Sequence, residues 1–174
     1  MLYRMEYESP LGTLTAMSDG ESLVGLFMDP VEARPGDAAD EGLPVLAALR
    51  GWLDAYFDGR RPTPADLPLA PAGTEFQRAV WRILLDVPYG RTTTYGAIAA
   101  ILAERNERGR MAPRAVGGAV GHNPISIVIP CHRVVGVGGN LVGYGGGMDR
   151  KVRLLTLEGV DMSRFFVPGE GRRV

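Results

Sequence analysis

The sequence is poor in the residues that build disulfides and metal sites. One of its 174 residues is cysteine and two are histidine. The single cysteine, Cys131, cannot form an internal disulfide, and one cysteine with two histidines cannot supply an ordinary structural zinc site. We therefore expect no metal and no other cofactor, and any role of Cys131 is that of a solitary thiol.

Long hydrophobic runs are also missing, although 45% of the residues are hydrophobic. The run over 125–129 is far too short to cross a bilayer, and the first ten residues, MLYRMEYESP, are too charged for a signal peptide. Glycine and proline number 24 and 13, but neither recurs with a fixed period, which excludes collagen-like and low-complexity chains. We expect a globular protein of the cytoplasm with one good core or two small ones.

Net charge is nearly absent overall but not within each half of the chain. Residues 1–73 contain 5 basic and 12 acidic side chains, a net charge of −7, whereas residues 74–174 contain 14 basic and 8 acidic side chains, a net charge of +6. Eighteen of the 19 basic residues are arginine, which suits planar contacts through several donors. The second half therefore suits an anionic partner, which the first half would repel.

The first 72 residues predict a small sheet-and-helix domain. Partial alternation over 1–27, interrupted by two turn signals, predicts a hairpin or meander of short strands. After an acidic loop over 29–41, leucines at helical spacing predict an amphipathic helix over 43–57. The proline-rich segment 60–73 has no apolar period, so we place the domain boundary near residue 72, with a second domain over 73–174.

Helices are predicted at the start of the second domain. Thr74 opens a capping-box pattern for a helix that ends near residue 86. Thr92 or Thr93 can cap a second helix over 95–105.

A third helix is predicted to begin at Pro113, where a missing backbone donor is harmless. The second and third helices with their connector resemble a helix-turn-helix. Gly117 and Gly118 lie inside the third helix, where each costs about 1 kcal/mol relative to alanine. Tight packing in the core and close approach of the helix backbone to a ligand explain these glycines equally well.

Cys131 follows a predicted buried strand over 125–129. A lone cysteine is usually an inert small hydrophobe, but His132 and Arg133 are neighbours that can lower a thiol pKa. Neighbours on an extended strand point to opposite faces. His132 can therefore assist Cys131 only if the chain turns there or a water bridges the two.

The glycine-rich segment 136–148 predicts a hairpin and then an exposed loop around Tyr144, which can close over a flat ligand. A helix is predicted over 149–158, with Gly159 as its C-cap. Glu158 then lies at the negative end of the helix dipole, where a carboxylate is disfavoured. Glu158 is either an ordinary surface glutamate or the partner of an imidazole or an arginine.

Several motifs of the second half occur together in one known family. The run RAVGGAVGHNPISIVIPCHRVVG, followed by GYGGGMDRKVRLLTLEG, closely resembles the active-site region of the O6-alkylguanine-DNA alkyltransferases, also called methylated-DNA:protein-cysteine methyltransferases. The segments FQRAVW and VPYGRTTTYG match the same family in order and spacing. The resemblance covers roughly residues 74–160.

This resemblance implies an α+β protein. A small N-terminal sheet-and-helix (ribonuclease H-like) domain precedes a mainly helical C-terminal domain with a helix-turn-helix. The implied activity is DNA repair: an O6-alkylguanine is flipped out of the duplex and its alkyl group is transferred irreversibly and stoichiometrically to Cys131. O4-alkylthymine stays open as a second substrate. The implied partner is damaged double-stranded DNA, with no membrane, bound by a monomer for which cooperative binding stays open.

The resemblance also implies roles for individual residues. Cys131 is the alkyl acceptor, His132 is the base that withdraws its proton through a water, and Glu158 orients and charge-balances His132. Asn123 ties the preceding helix turn to the active-site segment, and Tyr95 helps to neutralise charge on the leaving guanine. The residues that line the substrate pocket are Val134, Tyr144 and Gly145. The residues expected at the DNA are Arg114, which fills the space of the departed base, and Ala115, Gly117, Gly118, Thr92, Thr93 and Arg133.

Two other functions compete with this one. An alkyltransferase-like protein recognises the lesion and hands it to other repair machinery, but such proteins carry another residue at the position of Cys131. A thiol hydrolase using Cys131 and His132 lacks an oxyanion loop and leaves the glycine-bearing helix unexplained. The chain departs from the family pattern in a longer connector over 102–113, in His122 and in Val142, and none of these removes a reacting group.

Overall fold

The computed structural model describes residues 1–39, 42–105 and 112–168, and the chain divides into two compact units. The first unit contains Met1–Ala72 and Pro124–Val128. The second unit contains Gly73–Asn123 and Ile129–Val174.

Our predicted second domain, 73–174, includes Pro124–Val128, whereas the structure assigns this segment to the first unit. Backbone hydrogen bonds explain why this segment joins the first unit. The Leu26 amide donates to the Pro124 carbonyl, and the Ser126 amide donates to the Leu26 carbonyl, both at 2.9 Å.

A four-stranded sheet covered by one helix forms the first unit. The order of the sheet is β3-β2-β1-β4, with β1 at Tyr3–Ser9, β2 at Gly12–Ser18, β3 at Leu23–Phe27 and β4 at Ala38–Ala39. The predicted meander is confirmed, because β1 pairs antiparallel with β2 and β2 pairs antiparallel with β3. β4 lies in the expected loop and pairs parallel with β1, and its two residues are too few to show a period in the sequence.

The helix α1, Pro44–Phe57, confirms the amphipathic pattern and packs against β1 and β2. Proline at its first turn is tolerated because the amide of that position has no helical partner. Its buried face consists of Val45, Leu46, Leu49, Trp52, Leu53 and Tyr56. The Tyr7 hydroxyl of β1 donates to the Asp54 carboxylate at 2.7 Å, so a polar bond also holds the helix on the sheet.

The described part of the second unit contains four α-helices and a two-residue parallel ladder of two strands. The helices are α2 at Glu75–Leu85, α3 at Tyr95–Arg105, α4 at Pro113–Gly121 and α5 at Met148–Leu157, and the ladder pairs β5 at Thr93–Thr94 with β6 at Val134–Val135. The capping box of α2 is confirmed: the Gln77 amide donates to the Thr74 hydroxyl at 3.1 Å, and the Thr74 amide donates to the Gln77 side chain at 2.9 Å.

The cap of α3 differs from our expectation. The Ala97 amide donates to the Thr94 hydroxyl at 3.1 Å, so Thr94 caps the helix rather than Thr92 or Thr93. The prediction was wrong by one to two residues because the capping residue directly precedes the first helical residue, Tyr95, and that residue is Thr94.

The pair α3 and α4 has the predicted helix-turn-helix arrangement, and α4 also packs against α2. Val116, Ala119 and Val120 form the buried side of α4. Residues 106–111 of the connector, on which the expectation of unusual length depends, lie outside the described residues.

The predicted strand over 125–129 is not formed. Only Ile125 makes an isolated bridge, to Leu26, and Ile127 has a positive φ of 69° that an extended strand does not adopt. The apolar run was misleading because residues in this segment are buried without belonging to a sheet, and Ile125, Ile127 and Ile129 are at most 1% exposed.

The predicted hairpin over the glycine-rich segment is also wrong. Val137–Gly139 forms a 3₁₀ turn with Gly138 at a φ of 73°, and Asn140 bridges to Phe166 instead of to a neighbouring strand of the same segment. A small apolar cluster holds this region, and its buried members are Val135, Leu141, Leu155 and Phe165. The partner of Asn140 lies 26 positions away, which no local turn signal can indicate.

We expect Trp81→Phe to destabilise the protein by about 2 kcal/mol, because it removes a buried hydrogen bond and part of a core side chain. Trp81 is 2% exposed, and its indole N–H donates to the Ala119 carbonyl at 2.9 Å, which links α2 to α4. Urea denaturation measures the loss. The exposed Arg82→Ala on the same helix is the control, with an effect within about 0.5 kcal/mol. Equal effects of the two changes would show that the Trp81 bond is dispensable.

Candidate active site

Cys131 is the first residue of a 3₁₀ turn, Cys131–Arg133, which follows Pro130. Its amide donates to the Ile129 carbonyl at 2.8 Å, and the residue is 6% exposed. The chain therefore turns at the cysteine and does not end a strand there. This turn meets one of the two conditions under which His132 can assist the thiol.

Burial raises the pKa of the Cys131 thiol above its ordinary value, because a low-dielectric environment disfavours a thiolate. The Asn123 side chain, the Lys151 ammonium and Tyr144 act in the opposite direction. Since burial prevails, the thiol is protonated at neutral pH, and a base must take its proton before the sulfur can act as a nucleophile.

Asn123 holds the segment that leads to the cysteine. Its side-chain amide donates to the Ile129 carbonyl at 2.8 Å, and its backbone amide donates to the Val120 carbonyl of α4 at 3.2 Å. The end of α4 and the residue before Pro130 are thereby tied together, and Asn123 also acts on the thiol itself.

His132 and Glu158 form a buried pair. Nε2 of His132 lies 2.6 Å from Oε1 of Glu158, and neither side chain is exposed. Burial lowers the pKa of His132 even though Glu158 acts to raise it, so the imidazole is neutral at pH 7. Because an ionised carboxylate can only accept, the proton lies on Nε2, and Nδ1 carries the lone pair that can take another proton.

Glu158 is also paired with Arg133. The guanidinium donates from Nε to Oε2 and from Nη2 to Oε1, each at 2.9 Å. Burial opposes ionisation of Glu158, but the hydrogen bonds and charges of His132 and Arg133 outweigh it and hold the pKa of the carboxyl far below its ordinary value. Of the two interpretations of Glu158, the one that pairs it with an imidazole or an arginine is confirmed, and it pairs with both.

Arg133 is placed differently from our expectation that it contacts DNA. The residue is 7% exposed, and besides its two bonds to Glu158 it donates from Nη1 to the Val87 carbonyl at 2.6 Å. Three of its donors are therefore used inside the protein. The residues next to Arg133 in the sequence could not indicate this pairing, because its partner Glu158 lies 25 residues away.

Two tyrosines adjoin the thiol. Burial raises the pKa of both Tyr95 and Tyr144, and the charge of an ionised Cys131 adds to the effect. The Tyr95 hydroxyl donates to the Val142 carbonyl at 3.3 Å. The Tyr144 hydroxyl is buried and interacts with the Cys131 thiol. Both hydroxyls can therefore act on a ligand that reaches Cys131.

Lys151 is a site residue that we did not predict. It is the only lysine of the chain, it is fully buried, and its ammonium donates to the carbonyls of Val134 at 2.6 Å and Val142 at 3.3 Å. Burial lowers its pKa to about 8, and Cys131 acts to raise it. A signal was present, because Lys151 stands three residues before Leu154 on the apolar face of α5.

The surroundings of Gly117 and Gly118 in α4 distinguish tight core packing from close approach to a ligand as the reason for these glycines. A Cβ at Gly118 would have no atom within 4 Å, and one at Gly117 would lie at an ordinary 3.8 Å from the Tyr95 ring. Protein packing therefore requires neither glycine. Arg114, Ala115 and Gly118 are all exposed, which gives the helix a smooth outer surface with one cation in its first turn.

The other predicted site residues are distributed as follows. Val134 is fully buried, and its carbonyl accepts from Lys151 beside the active-site turn. Gly145 is exposed in the loop after Tyr144. Thr92 and Thr93 are half-buried before α3. The structure thus brings Asn123, Tyr95 and Tyr144 to the Cys131 thiol, pairs His132 with Glu158, and exposes Arg114, Ala115 and Gly118 of α4.

Within the described residues, no helix is long and apolar enough to cross a membrane. The same part of the chain contains no group of three or more histidine, cysteine, aspartate or glutamate side chains that could hold a metal ion.

Two family models together match most of the chain. Residues 2–71 match the ribonuclease-like domain of 6-O-methylguanine DNA methyltransferase, and residues 75–160 match the DNA-binding domain of the same protein. The buried thiol and its histidine–glutamate pair thus lie in the matched DNA-binding region. The chain belongs to the 6-O-methylguanine DNA methyltransferase family.

Individual relatives agree with this membership. The methylated-DNA–protein-cysteine methyltransferase of Haemophilus influenzae is 43% identical, over 90% of this chain and 86% of the relative. That of Methanosarcina mazei is 50% identical, over 90% and 97%. The solved structure of the Mycobacterium tuberculosis protein in complex with DNA is 43% identical, covers 90% of this chain and 92% of that one, and has a TM-score of 0.79.

We expect the stability contributed by Lys151 to increase with pH. The pKa of this lysine is about 8 in the folded protein and 10.5 when unperturbed, so the unfolded chain binds more protons between these values and stability rises across that window. In a Cys131→Ala background, which removes the titrating thiol, the free energy of unfolding relative to Lys151→Met should increase by about 2 kcal/mol between about pH 7 and 9.5.

Urea denaturation at several pH values measures this difference. The matched control is Arg153→Met, which removes an exposed cation from the same helix and should give a pH-independent difference. A flat profile for Lys151→Met would show that the lysine is not charged and buried as the structure describes.

Proposed function

We propose that this protein is a DNA repair methyltransferase that takes the alkyl group of O6-alkylguanine onto Cys131. The observation that carries the proposal is a buried, protonated thiol beside a neutral histidine that is itself held by a carboxylate. This is the arrangement of a nucleophile, a base and an orienting group. The relatives named as methylated-DNA–protein-cysteine methyltransferases supply the substrate class.

The reaction transfers one alkyl group and involves no oxidation or reduction. His132 Nδ1 takes the Cys131 proton through a water, while Nε2 keeps its hydrogen bond to Glu158. The sulfur attacks the O6-methyl carbon, the carbon–sulfur bond forms, and the carbon–oxygen bond breaks with its electron pair left on guanine. The guanine ring regains a proton, and Cys131 is left as a thioether. Because a thioether does not hydrolyse in neutral water, Cys131 is not regenerated and each protein molecule acts once.

Access to the methyl group requires the nucleotide to leave the base stack, at a cost of a few kcal/mol. The exposed side of α4 suits this step because its small residues, Ala115 and Gly118, permit close approach to a groove. Arg114, in the first turn of α4, enters the duplex and fills the space of the extruded base. Thr92 and Thr93 precede α3 and contribute contacts at the same surface.

The pocket for the extruded base is formed beside the thiol. Tyr95 donates to the leaving guanine and helps to neutralise its developing charge, and for this it exchanges its bond to the Val142 carbonyl for one to the base. Tyr144 offers its buried hydroxyl, and the exposed Gly145 offers its amide. Val134 lines the pocket and is held by Lys151.

We place the protein in the cytoplasm as a monomer that binds double-stranded DNA. Its domains are residues 1–72 and 73–174, with Pro124–Val128 exchanged into the first unit. The presence of Cys131 argues against the alkyltransferase-like alternative, which lacks an acceptor thiol. The exposed glycine-bearing face of α4 argues against a thiol hydrolase, which has no use for it.

A mass measurement tests the function. The wild-type protein, incubated with a duplex that contains O6-methylguanine, should gain one methyl group per chain on Cys131 and no more. Cys131→Ala should gain none while binding the lesion duplex with nearly unchanged affinity, because the thiol adds little contact area. Methylation of Cys131→Ala, or repair of several lesions per molecule, would contradict a stoichiometric transfer to this cysteine.

We expect Arg114→Ala to separate base extrusion from chemistry. The change should slow repair of duplex DNA at least about tenfold while leaving the reaction with free O6-benzylguanine nearly unchanged, because only the duplex has a base stack to open. Arg78→Ala on α2, also exposed, is the control and should affect neither reaction. Equal losses on the duplex and on the free base would assign Arg114 to folding instead.

A further inference from the structure

Arg133 occupies a position that neither the thiol nor a DNA surface explains. Its guanidinium forms a two-point contact with both oxygens of Glu158 and a third bond to the Val87 carbonyl. Its side chain is only 8% exposed. A planar fork of this kind fixes the orientation of a carboxylate as well as its charge.

The turn that ends α2 completes the enclosure of the carboxylate. The Gly90 amide donates to Oε2 of Glu158 at 3.1 Å, and the Tyr89 hydroxyl donates to the Leu157 carbonyl at 3.2 Å. The Tyr89 ring lies 5.8 Å from the Arg133 guanidinium carbon. Gly90 has a φ of 74°, and a Cβ there would lie 2.7 Å from the Glu158 carbonyl oxygen, so only glycine allows this approach. Oε1 and Oε2 of Glu158 each therefore accept two hydrogen bonds.

Together with burial, which has the largest influence, this arrangement acts on the protonation of the histidine. A buried carboxylate whose only partner is an imidazole favours the imidazolium, and an imidazolium cannot accept a further proton. Arg133 supplies a permanent cation that balances Glu158 in its place. The charged groups that act on His132 are Glu158, which favours the imidazolium, and Arg133 and Lys151, which disfavour it; the titratable groups around the adjoining thiol are Tyr95 and Tyr144.

We propose that Arg133 is a positioning residue of the transfer reaction: by sharing the Glu158 carboxylate, it keeps His132 neutral and oriented with Nε2 toward Glu158, ready to take the thiol proton. This inference rests on the proposed function. Arg133 touches neither the thiol nor the substrate, and it acts through Glu158 and His132 alone.

Arg133→Gln tests the charge, and Arg133→Lys keeps the charge but removes the two-point contact. The rate of methyl transfer to the protein is measured between about pH 5.5 and 8.5. In Arg133→Gln the acid limb of the profile should move up by about one pH unit, so that the rate near pH 6 falls severalfold more than the rate near pH 8. Arg133→Lys should keep the wild-type acid limb at a uniformly reduced rate. The exposed Arg82→Gln carries the same charge change as a control and should leave the profile unaltered.

A direct readout comes from the two histidines of the chain. In nitrogen NMR spectra of the wild-type protein, His132 should be neutral with its proton on Nε2 near pH 7, and in Arg133→Gln its pKa should rise; the exposed His122 provides the reference signal. A protonated His132 in the wild-type protein would overturn the proposal even if Arg133→Gln does not fold. A rate lowered equally at every pH, with an unchanged His132 titration, would also overturn it.

The two proposals fail separately. If the wild-type protein gains no methyl group from the lesion duplex, the proposed function fails, but the His132 titration still tests Arg133. If the methyl group is gained and Arg133→Gln leaves the His132 titration and the acid limb unaltered, only the role of Arg133 fails.

Discussion

The Glu158 carboxylate is the group on which the rest of the second unit depends. It is a buried anion at the C-terminal end of α5, where the helix dipole disfavours negative charge, and an unpaired charge in that position would be strongly destabilising. Three residues from two separate segments satisfy it: His132 and Arg133 from the active-site turn, and Gly90 from the turn after α2. The hydrogen bonds to this one carboxylate therefore hold His132, the end of α5 and the turn after α2 close together.

Lys151 has a similar role about two turns earlier on the same helix. Its ammonium is also buried, and it is satisfied by the carbonyls of Val134, in the two-residue strand β6, and of Val142, in the loop that follows. A backbone that makes few ladder bonds needs side-chain donors for its carbonyls. Thus α5 positions the pocket through two charged side chains: Glu158 holds the active-site turn, and Lys151 holds the loop that carries Tyr144.

The surface of α4 meets a different requirement. Gly117 and Gly118 each cost about 1 kcal/mol in a helix interior, and their protein surroundings leave room for a side chain. Alanine at Gly118 would stabilise the free protein, so the glycine is explained by a binding partner and not by the protein itself. A duplex groove that closely approaches the helix backbone would leave no room for a side chain. The unfavourable glycines of α4 are thereby connected with the proposed extrusion of a base.

Local patterns in the sequence were sufficient for elements whose causes are local. The meander of β1 to β3, the amphipathic helix α1 and the capping box at Thr74 are each specified by residues within a few positions of one another, and the structure has them where we predicted them. The same patterns misled us over 125–129, because a run of apolar residues records burial and not backbone conformation. They also misplaced the cap of α3, which is the last residue of a strand whose pairing crosses 41 positions.

The sequence by itself determined the reacting groups of this protein: a solitary cysteine, the histidine beside it, and a glutamate at an unfavourable helix end. Only the tertiary structure decided how these groups are used. It turned the chain at Cys131, converted Arg133 from an expected DNA contact into a partner of Glu158, and buried the only lysine of the chain beneath the pocket loop. The physical reason is that protonation and orientation depend on desolvation and on donors 17 to 68 positions away in the chain, and both exist only after the chain has folded.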